Sequence, residues 1–308
     1  MKRFSKKAAF FAGTVALVFI VYARVFIGGE DDNFYRRFTT PPAPSLVVGS
    51  SRCAQGIVPS VVISSSLNFS RPLYNYCFTN ANSPYGPYYL ESIKKKLEKE
   101  KSPRKRGLFV VEVNPWILSV KQAGLSESDF READRFIAEM EIVNHVNPNI
   151  EYILKRYNTT HYKTIYFDVI GVESSSFLKK SGWLRVDVDI SERKVERRKQ
   201  EKIEDYKELT EEWSLSSARV EYLGETISFL NQYGRVFAVR MPVSKEMFHL
   251  EQAYAPTFDA KVDSVVRVSG GTYLNYSASS GRYQTTDGNH LWRKAAHRFT
   301  RTLIDSLR

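Results

Sequence analysis

The segment that most restricts how this chain can fold is Gly107-Leu-Phe-Val-Val-Glu-Val113, bounded by a basic loop before it and by Asn114-Pro115 after it. A strand with one wetted face alternates apolar and polar residues. A run without alternation has to be covered on both faces, as in the middle of a parallel sheet flanked by helices. Ser45 to Gly49 reads as a shorter apolar strand that stops at glycine, Pro72 to Cys77 as a second, and Arg235 to Met241 as another closed by Pro242. Between them lie helical patterns. Val58 to Phe69 holds a short helix, and Tyr89, Ile93 and Leu97 recur at helical spacing within Tyr88 to Lys99. Ser126 to Tyr157 is helical with a break near Pro148, and Ser191 to Gln232 reads as two helices parted at Trp213 to Ser217. The last helix runs from Leu291 to Leu307, with Leu291, Ala295, Phe299, Leu303 and Leu307 on one face. Val262 to Val268 and Thr272 to Tyr276 are expected as late strands or loops. Thr160 to Asp189 is an insertion in which Tyr166 to Ile170 is a strand or part of a cap. Strands alternating with helices predict a three-layer α/β/α domain over 45–308 around a central parallel sheet, without internal repeats.

The chain starts differently. Lys2, Arg3, Lys6 and Lys7 precede an apolar run from Ala8 to Ala23, and Val25 to Ile27 extend it past Arg24. One helix over this stretch rises roughly 30 Å, the thickness of a bilayer core. Residues 1–29 are therefore expected as a cytoplasmic basic flank and a transmembrane signal anchor, with Arg24 snorkelling to the headgroups and the rest of the chain outside the cytoplasm. A cleaved signal peptide ending near Val21-Tyr22-Ala23 is the competing reading. Residues 30–44, charged and then Thr- and Pro-rich, read as a linker without regular structure.

The formal charge of +11 raises nucleic acid as a partner, but its distribution points elsewhere. Lys94, Lys95, Lys96, Lys99, Lys101, Arg104, Lys105 and Arg106 crowd one helix end and its loop, whereas Ser191 to Glu212 interleaves acids and bases as a solvated helix does. For an exported domain, anionic lipid or a wall polymer fits this excess better than nucleic acid, and solvated lysines without a partner fit it equally well. Cys53 and Cys77 are the only cysteines. Export permits a disulfide, and two buried thiols near the sheet edge are the plainer reading; spacing does not choose between them. The histidines are scattered, the cysteines form no close pair, and Gly270-Gly271 lacks a following Lys-Ser or Lys-Thr. Neither a metal, a cofactor nor a phosphate loop is expected.

Chemistry concentrates at the two ends of the domain. Gly49-Ser50-Ser51-Arg52 follows the first strand, so Ser51 stands at the C-terminal edge of the sheet, where open α/β sheets present ligands. Asp287-Gly288-Asn289-His290 precedes the last helix, and its three-residue spacing allows the carboxylate to orient the imidazole. Together they offer a nucleophile, a base and an orienting acid. Arg52 and Arg240, near strand ends, are candidates for holding a substrate phosphate or carboxylate, although structural pairing suits each as well.

This constellation resembles the SGNH or GDSL hydrolase superfamily, and in particular its membrane-anchored cell-envelope branch, similar to D-alanyl transfer and alginate acetylation proteins. The resemblance spans Ser45 to the C terminus in block order. It implies Ser51 as nucleophile, with His290 and Asp287 completing the triad. It also implies an oxyanion hole built from an asparagine side chain, matched by Asn114, and a backbone N–H of a glycine block. Here that block is Tyr74 to Asn82 and lacks the glycine, so Asn80 or Asn82 stands in. The activity implied is a serine esterase or O-acyltransferase acting on acylated glycans or wall polymers, on a single-pass protein of the bacterial cytoplasmic membrane. The alternative is a non-catalytic envelope module of the same fold that binds a glycan or a protein.

Overall fold

A computed structural model describes residues 2–27, 32–97, 106–121, 136–143, 147–169 and 175–308. Helix α1 (Lys2–Phe26) leads into α2 (Tyr35–Thr39), strand β1 (Ser45–Gly49), the short helices α3 (Ser51–Gly56) and α4 (Pro59–Ile63), and β2 (Leu73–Cys77). Then come α5 (Pro87–Lys96), β3 (Gly107–Glu112), β4 (Ser119–Lys121), α6 (Phe136–Glu139), α7 (Ile150–Arg156), α8 (Thr159–Val169) and the hairpin strands β5 (Ser176–Leu178) and β6 (Leu184–Val186). The C-terminal half runs through α9 (Glu192–Glu212), β7 (Trp213–Leu215), α10 (Ser217–Asn231), β8 (Gly234–Arg240), α11 (Lys245–Tyr254), α12 (Phe258–Val268), β9 (Thr272–Asn275) and α13 (Arg293–Ser306).

Five strands form one parallel sheet in the order β2-β1-β3-β8-β9. The apolar run at Gly107 is its middle strand, buried along its whole length, as the missing alternation requires. Period two assigns alternate residues to opposite faces. Leu46, Val48, Phe109 and Val111 pack with Ile93, Leu223, Ile227 and Val262 from α5, α10 and α12. Val47, Leu108, Val110 and Val239 pack on the other side with Ala54, Val62, Phe299 and Leu303 from α3, α4 and α13. The protein is thus an α/β fold with helices on both faces of a parallel sheet. From β1 the chain first adds β2 on one side and then returns to β3 on the other, so the order reverses between β1 and β3. Crevices open at such a reversal, at the C-terminal ends of the strands.

Several expectations are corrected. Val262 to Val268 lies in a helix because Phe258, Val262 and Val266 recur at helical spacing and fill the core. Tyr166 falls within α8, while Ile170 and residues 126–135 and 144–146 of the segment from Ser126 lie outside the described residues. The linker assignment fails for residues 32–44. Tyr35 and Phe38 are buried against Tyr152, Tyr76 and Phe78, and Ala43 bridges to Leu97. Aromatic side chains at helical spacing outweighed the Thr- and Pro-rich composition.

The basic cluster also divides. Lys99, Lys101, Arg104 and Lys105 lie outside the described residues, but Lys96 is fully buried, its Nζ donating to the carbonyls of Arg37 and Thr40 and sitting 4.4 Å from the Tyr74 ring centroid. Burial, together with the Arg37 guanidinium, pushes its pKa down to about 7. Cys53 and Cys77 form a disulfide with a Cα–Cα distance of 6.1 Å, displacing the thiol reading. Cys53 lies in α3, just after β1, which places it opposite Cys77, the last residue of β2.

Among the described residues α1 is the helix long and apolar enough to cross a membrane, with a mean hydropathy of 2.0 over its most apolar window. Its last turn is not free of the domain. Ala23 and Ile27 are buried in the main core, and Arg24 donates through Nη1 to the Asn147 carbonyl at 2.8 Å instead of extending to a headgroup region.

Candidate active site

Between β1 and α3 the chain turns from strand to helix within two residues. Gly49 makes the turn at φ +139°, and a Cβ there would meet Glu112 Cβ at 2.7 Å, so only glycine fits. Ser50 caps α3, its Oγ accepting from the Arg52 N–H at 3.3 Å. Beneath the turn lies the buried Glu112 side chain. Its Oε2 accepts from Ser50 N at 2.9 Å and Ser50 Oγ at 2.8 Å, and its Oε1 accepts from Asn114 Nδ2 at 2.7 Å. The disulfide fastens the same turn sideways to β2. Ser51 is therefore the first helical residue of a segment held from below and from the side.

The second loop is closed by the Thr285–Leu291 bridge and by Thr286 N donating to His290 O at 2.9 Å. Within it Gly288 adopts φ +81°, which lets Asp287 Oδ1 accept from the backbone N–H groups of Asn289 at 3.0 Å and His290 at 2.8 Å. The other oxygen, Oδ2, lies 2.7 Å from His290 Nδ1, and His290 Nε2 lies 2.8 Å from Ser51 Oγ. Burial alone would raise the Asp287 pKa, but the imidazole and the two N–H donors outweigh it and hold the carboxyl well below its usual range. An ionised Asp287 accepting at Nδ1 places the ring proton there and leaves Nε2 free to accept from Ser51. The loop precedes α13, which begins at Arg293, and an Asx turn rather than a helical one gives the three-residue spacing its shared side.

Ser51, His290 and Asp287 thus come together, whereas the side chains of Asn114, Arg52 and Arg240 are engaged elsewhere. Asn114 spends both Nδ2 hydrogens on Glu112 and on Ser50 Oγ at 3.2 Å, and its Oδ1 accepts from Trp116 N and Ile117 N. It braces the turn that carries Ser51. The backbone N–H of Asn82 donates to the Thr79 carbonyl at 3.0 Å and is spent within its own turn, while the side chains of Asn80 and Asn82 donate to Tyr206 Oη at 3.2 Å and to Thr79 Oγ1 at 2.9 Å.

Arg52 and Arg240 are structural. Both are buried against Glu251, which accepts from Arg52 Nη2 at 2.5 Å, Arg240 Nη2 at 3.2 Å and Trp116 Nε1 at 2.9 Å. Burial pulls both guanidinium pKa values down, and the carboxylate between them more than reverses this. Arg240 also pairs with Asp259 at 2.5 Å.

One group was passed over in the motif. Asn289 Oδ1 accepts from Arg52 Nε at 2.9 Å and Nη2 at 2.6 Å. Arginine only donates, so this contact fixes which end of the amide is oxygen. Asn289 Nδ2 is consequently turned toward His290, 3.4 Å from its Nε2. Its signal in the sequence was only its place between Asp287 and His290.

Ser51, His290 and Asp287 open into a cavity of about 410 Å³. Phe34, Phe78, Leu184, Val186 and Val188 form its apolar wall, with Thr79, Gln55 and Arg198 as polar groups. Arg37, buried beneath, places its Cζ 5.9 Å from the Phe34 ring centroid and 5.2 Å from that of Phe78. No protein-family model matches the chain, and no curated protein matches it.

Proposed function

We propose that the protein is a serine-dependent esterase or O-acyltransferase of the SGNH type, acting on acyl esters of envelope glycans or wall polymers. The observation that carries this reading is the continuous chain from Ser51 Oγ through His290 to Asp287, at 2.8 and 2.7 Å, beside an apolar cavity. The nucleophile after the first sheet strand, the Asp-x-x-His loop before the last helix and the parallel sheet between them support the SGNH assignment.

In this reading Ser51 Oγ adds to the acyl carbonyl carbon while its proton passes to His290 Nε2 and the carbonyl electron pair moves onto oxygen. Collapse breaks the bond to the leaving oxygen, which takes the proton from His290 and leaves an ester on Ser51. Water or a polymer hydroxyl then repeats the sequence in reverse. Asp287 stabilises the imidazolium in both halves. The oxyanion is assigned to the Ser51 N–H, which lies in a first helical turn without an intrahelical acceptor, and to Asn289 Nδ2. Once His290 carries a proton on Nε2, an amide N–H beside it is repelled unless an anion takes it up, so this donor gains a partner as the oxyanion forms.

The full chain treated with a fluorophosphonate and with activated esters tests the reading. Covalent labelling and turnover, both lost in Ser51→Ala, are expected. Absence of labelling in folded protein would leave the non-catalytic glycan- or protein-binding module, which the withdrawal of Asn114 from the site favours.

A further inference from the structure

The hairpin that walls the Ser51 cavity has a second side. Along Trp183 to Val186 successive side chains alternate, as they must in a strand. Leu184 and Val186 line the Ser51 cavity, while Trp183 and Arg185 line a separate open groove of about 850 Å³ against α13. Arg293, Lys294, His297, Arg298 and Arg301 of α13 form its floor. These positions are spaced to share one side of the helix, opposite Ala295, Phe299 and Leu303, which face the core.

The groove is strongly cationic. Its acid is Asp187, which pairs with Arg185 and, at 3.0 Å, with Arg293. Among the described residues no carboxylate pairs with Lys294, Arg298 or Arg301. Burial and the neighbouring Arg301 lower the His297 pKa. The groove also carries two indoles. Trp183 is held by its Nε1 donating to the Gln55 carbonyl at 2.8 Å and by the edge of His297 at 5.4 Å, and Trp292 lies beneath Lys294 Nζ at 5.2 Å. Trp292 follows His290 by two residues, so the groove begins within about 7 Å of backbone from the triad base.

We propose that this groove binds an acidic polysaccharide whose sugar carboxylates pair with the α13 guanidinium groups and whose sugar faces lie on the two indoles. Forked guanidinium donors match carboxylates, and a fixed aromatic face suits the apolar C–H side of a sugar ring. Charge complementarity sets the sign of the ligand. Continuity with a site that handles esters of hydroxyl groups sets its class, a carbohydrate rather than a nucleic acid. That last step rests on the acyl-transfer reading; the binding itself does not. A chain lying along the groove would carry a hydroxyl or its ester around the hairpin edge to Ser51.

Binding of polygalacturonate to the full chain in detergent micelles, measured beside neutral dextran, polyphosphate and oligothymidylate, tests this. Saturable, salt-sensitive binding of polygalacturonate is expected, with none of dextran. The double variant Arg298→Glu/Arg301→Glu should weaken it at least tenfold, and Trp292→Ala by several-fold. Lys202→Glu/Lys207→Glu on α9, an equal change in charge, should leave it intact. Thermal melting establishes that each variant is folded. No binding, or binding equally weakened by the α9 variant, would overturn the proposal. So would binding of oligothymidylate or polyphosphate as tight as that of polygalacturonate and indifferent to Trp292. Fluorophosphonate labelling of the same sample separates the two readings: labelling without polysaccharide binding sinks only the groove, and binding without labelling sinks only the serine chemistry.

Discussion

Asn289 and Asp287 occupy one four-residue loop and are expected to fail differently when altered. Asn289→Ala removes a donor aimed at the site without touching the Ser51–His290–Asp287 chain. It should lower kcat by roughly 10²–10³-fold with little change in KM, the signature of a group that acts only in the transition state. Steady-state kinetics on an activated ester checks this. Asp287→Asn removes the acceptor that fixes the imidazole tautomer, and kcat is expected to drop by about 10⁴-fold. The Asp287 carboxyl also links folding to pH. Its pKa is lowered in the folded protein, so its stabilisation is present above the ordinary carboxylate value near 4 and is lost as pH falls further through the folded value. Acid unfolding followed by circular dichroism should therefore show a shallower loss for Asp287→Asn than for the natural chain below about pH 4. The Ser51–His290–Asp287 chain was legible because each half is local: a glycine-ended strand before Ser51, and a carboxylate three residues from His290. The roles of Arg52 and Asn114 were not, because they are set by Glu251, 199 residues from Arg52, and by a buried Glu112 whose strand gave no sign of where its side chain points.

Among the elements, α3 is the one whose placement decides the site, and it is secured by a covalent link as well as by packing. Closing a loop between Cys53 and Cys77, 24 residues apart, contributes about 3 kcal/mol on a chain-entropy basis. Cys53→Ser/Cys77→Ser should lower the melting temperature by roughly 6–12 °C. It should also slow fluorophosphonate labelling, because the helix carrying Ser51 loses its tie to β2; equal labelling rates would show that packing alone holds the nucleophile. The sheet strands could be read from the sequence because burial on both faces leaves an uninterrupted apolar signature. Several helices could not, α2 and α12 among them. The α2 segment is only five residues long and sits among Pro and Thr, and α12 contains enough valine to resemble a strand until its core contacts are known. In both, tertiary packing overrode local composition.

For the whole molecule, the join between α1 and the sheet domain matters most. Burial of Ala23 and Ile27 contributes on the order of 3 kcal/mol if both side chains leave water on folding. A chain beginning at Asp32 should therefore melt several degrees lower than the full chain, and scanning calorimetry of the two in the same detergent would read the difference. Asn33 and Phe34, seven residues or fewer beyond that last turn, already line the Ser51 cavity. The spacing between the end of α1 and the cavity wall is therefore short, at most about 25 Å of extended chain, and the Arg24–Asn147 contact fixes its direction. A catalytic head on a slack leash samples a hemisphere and meets its substrates wherever they drift. In the proposed acyl-transfer reading, a head docked onto its own stalk works at a set height and a set bearing, like a tool in a fixed mount, and a polymer substrate has to be brought to it.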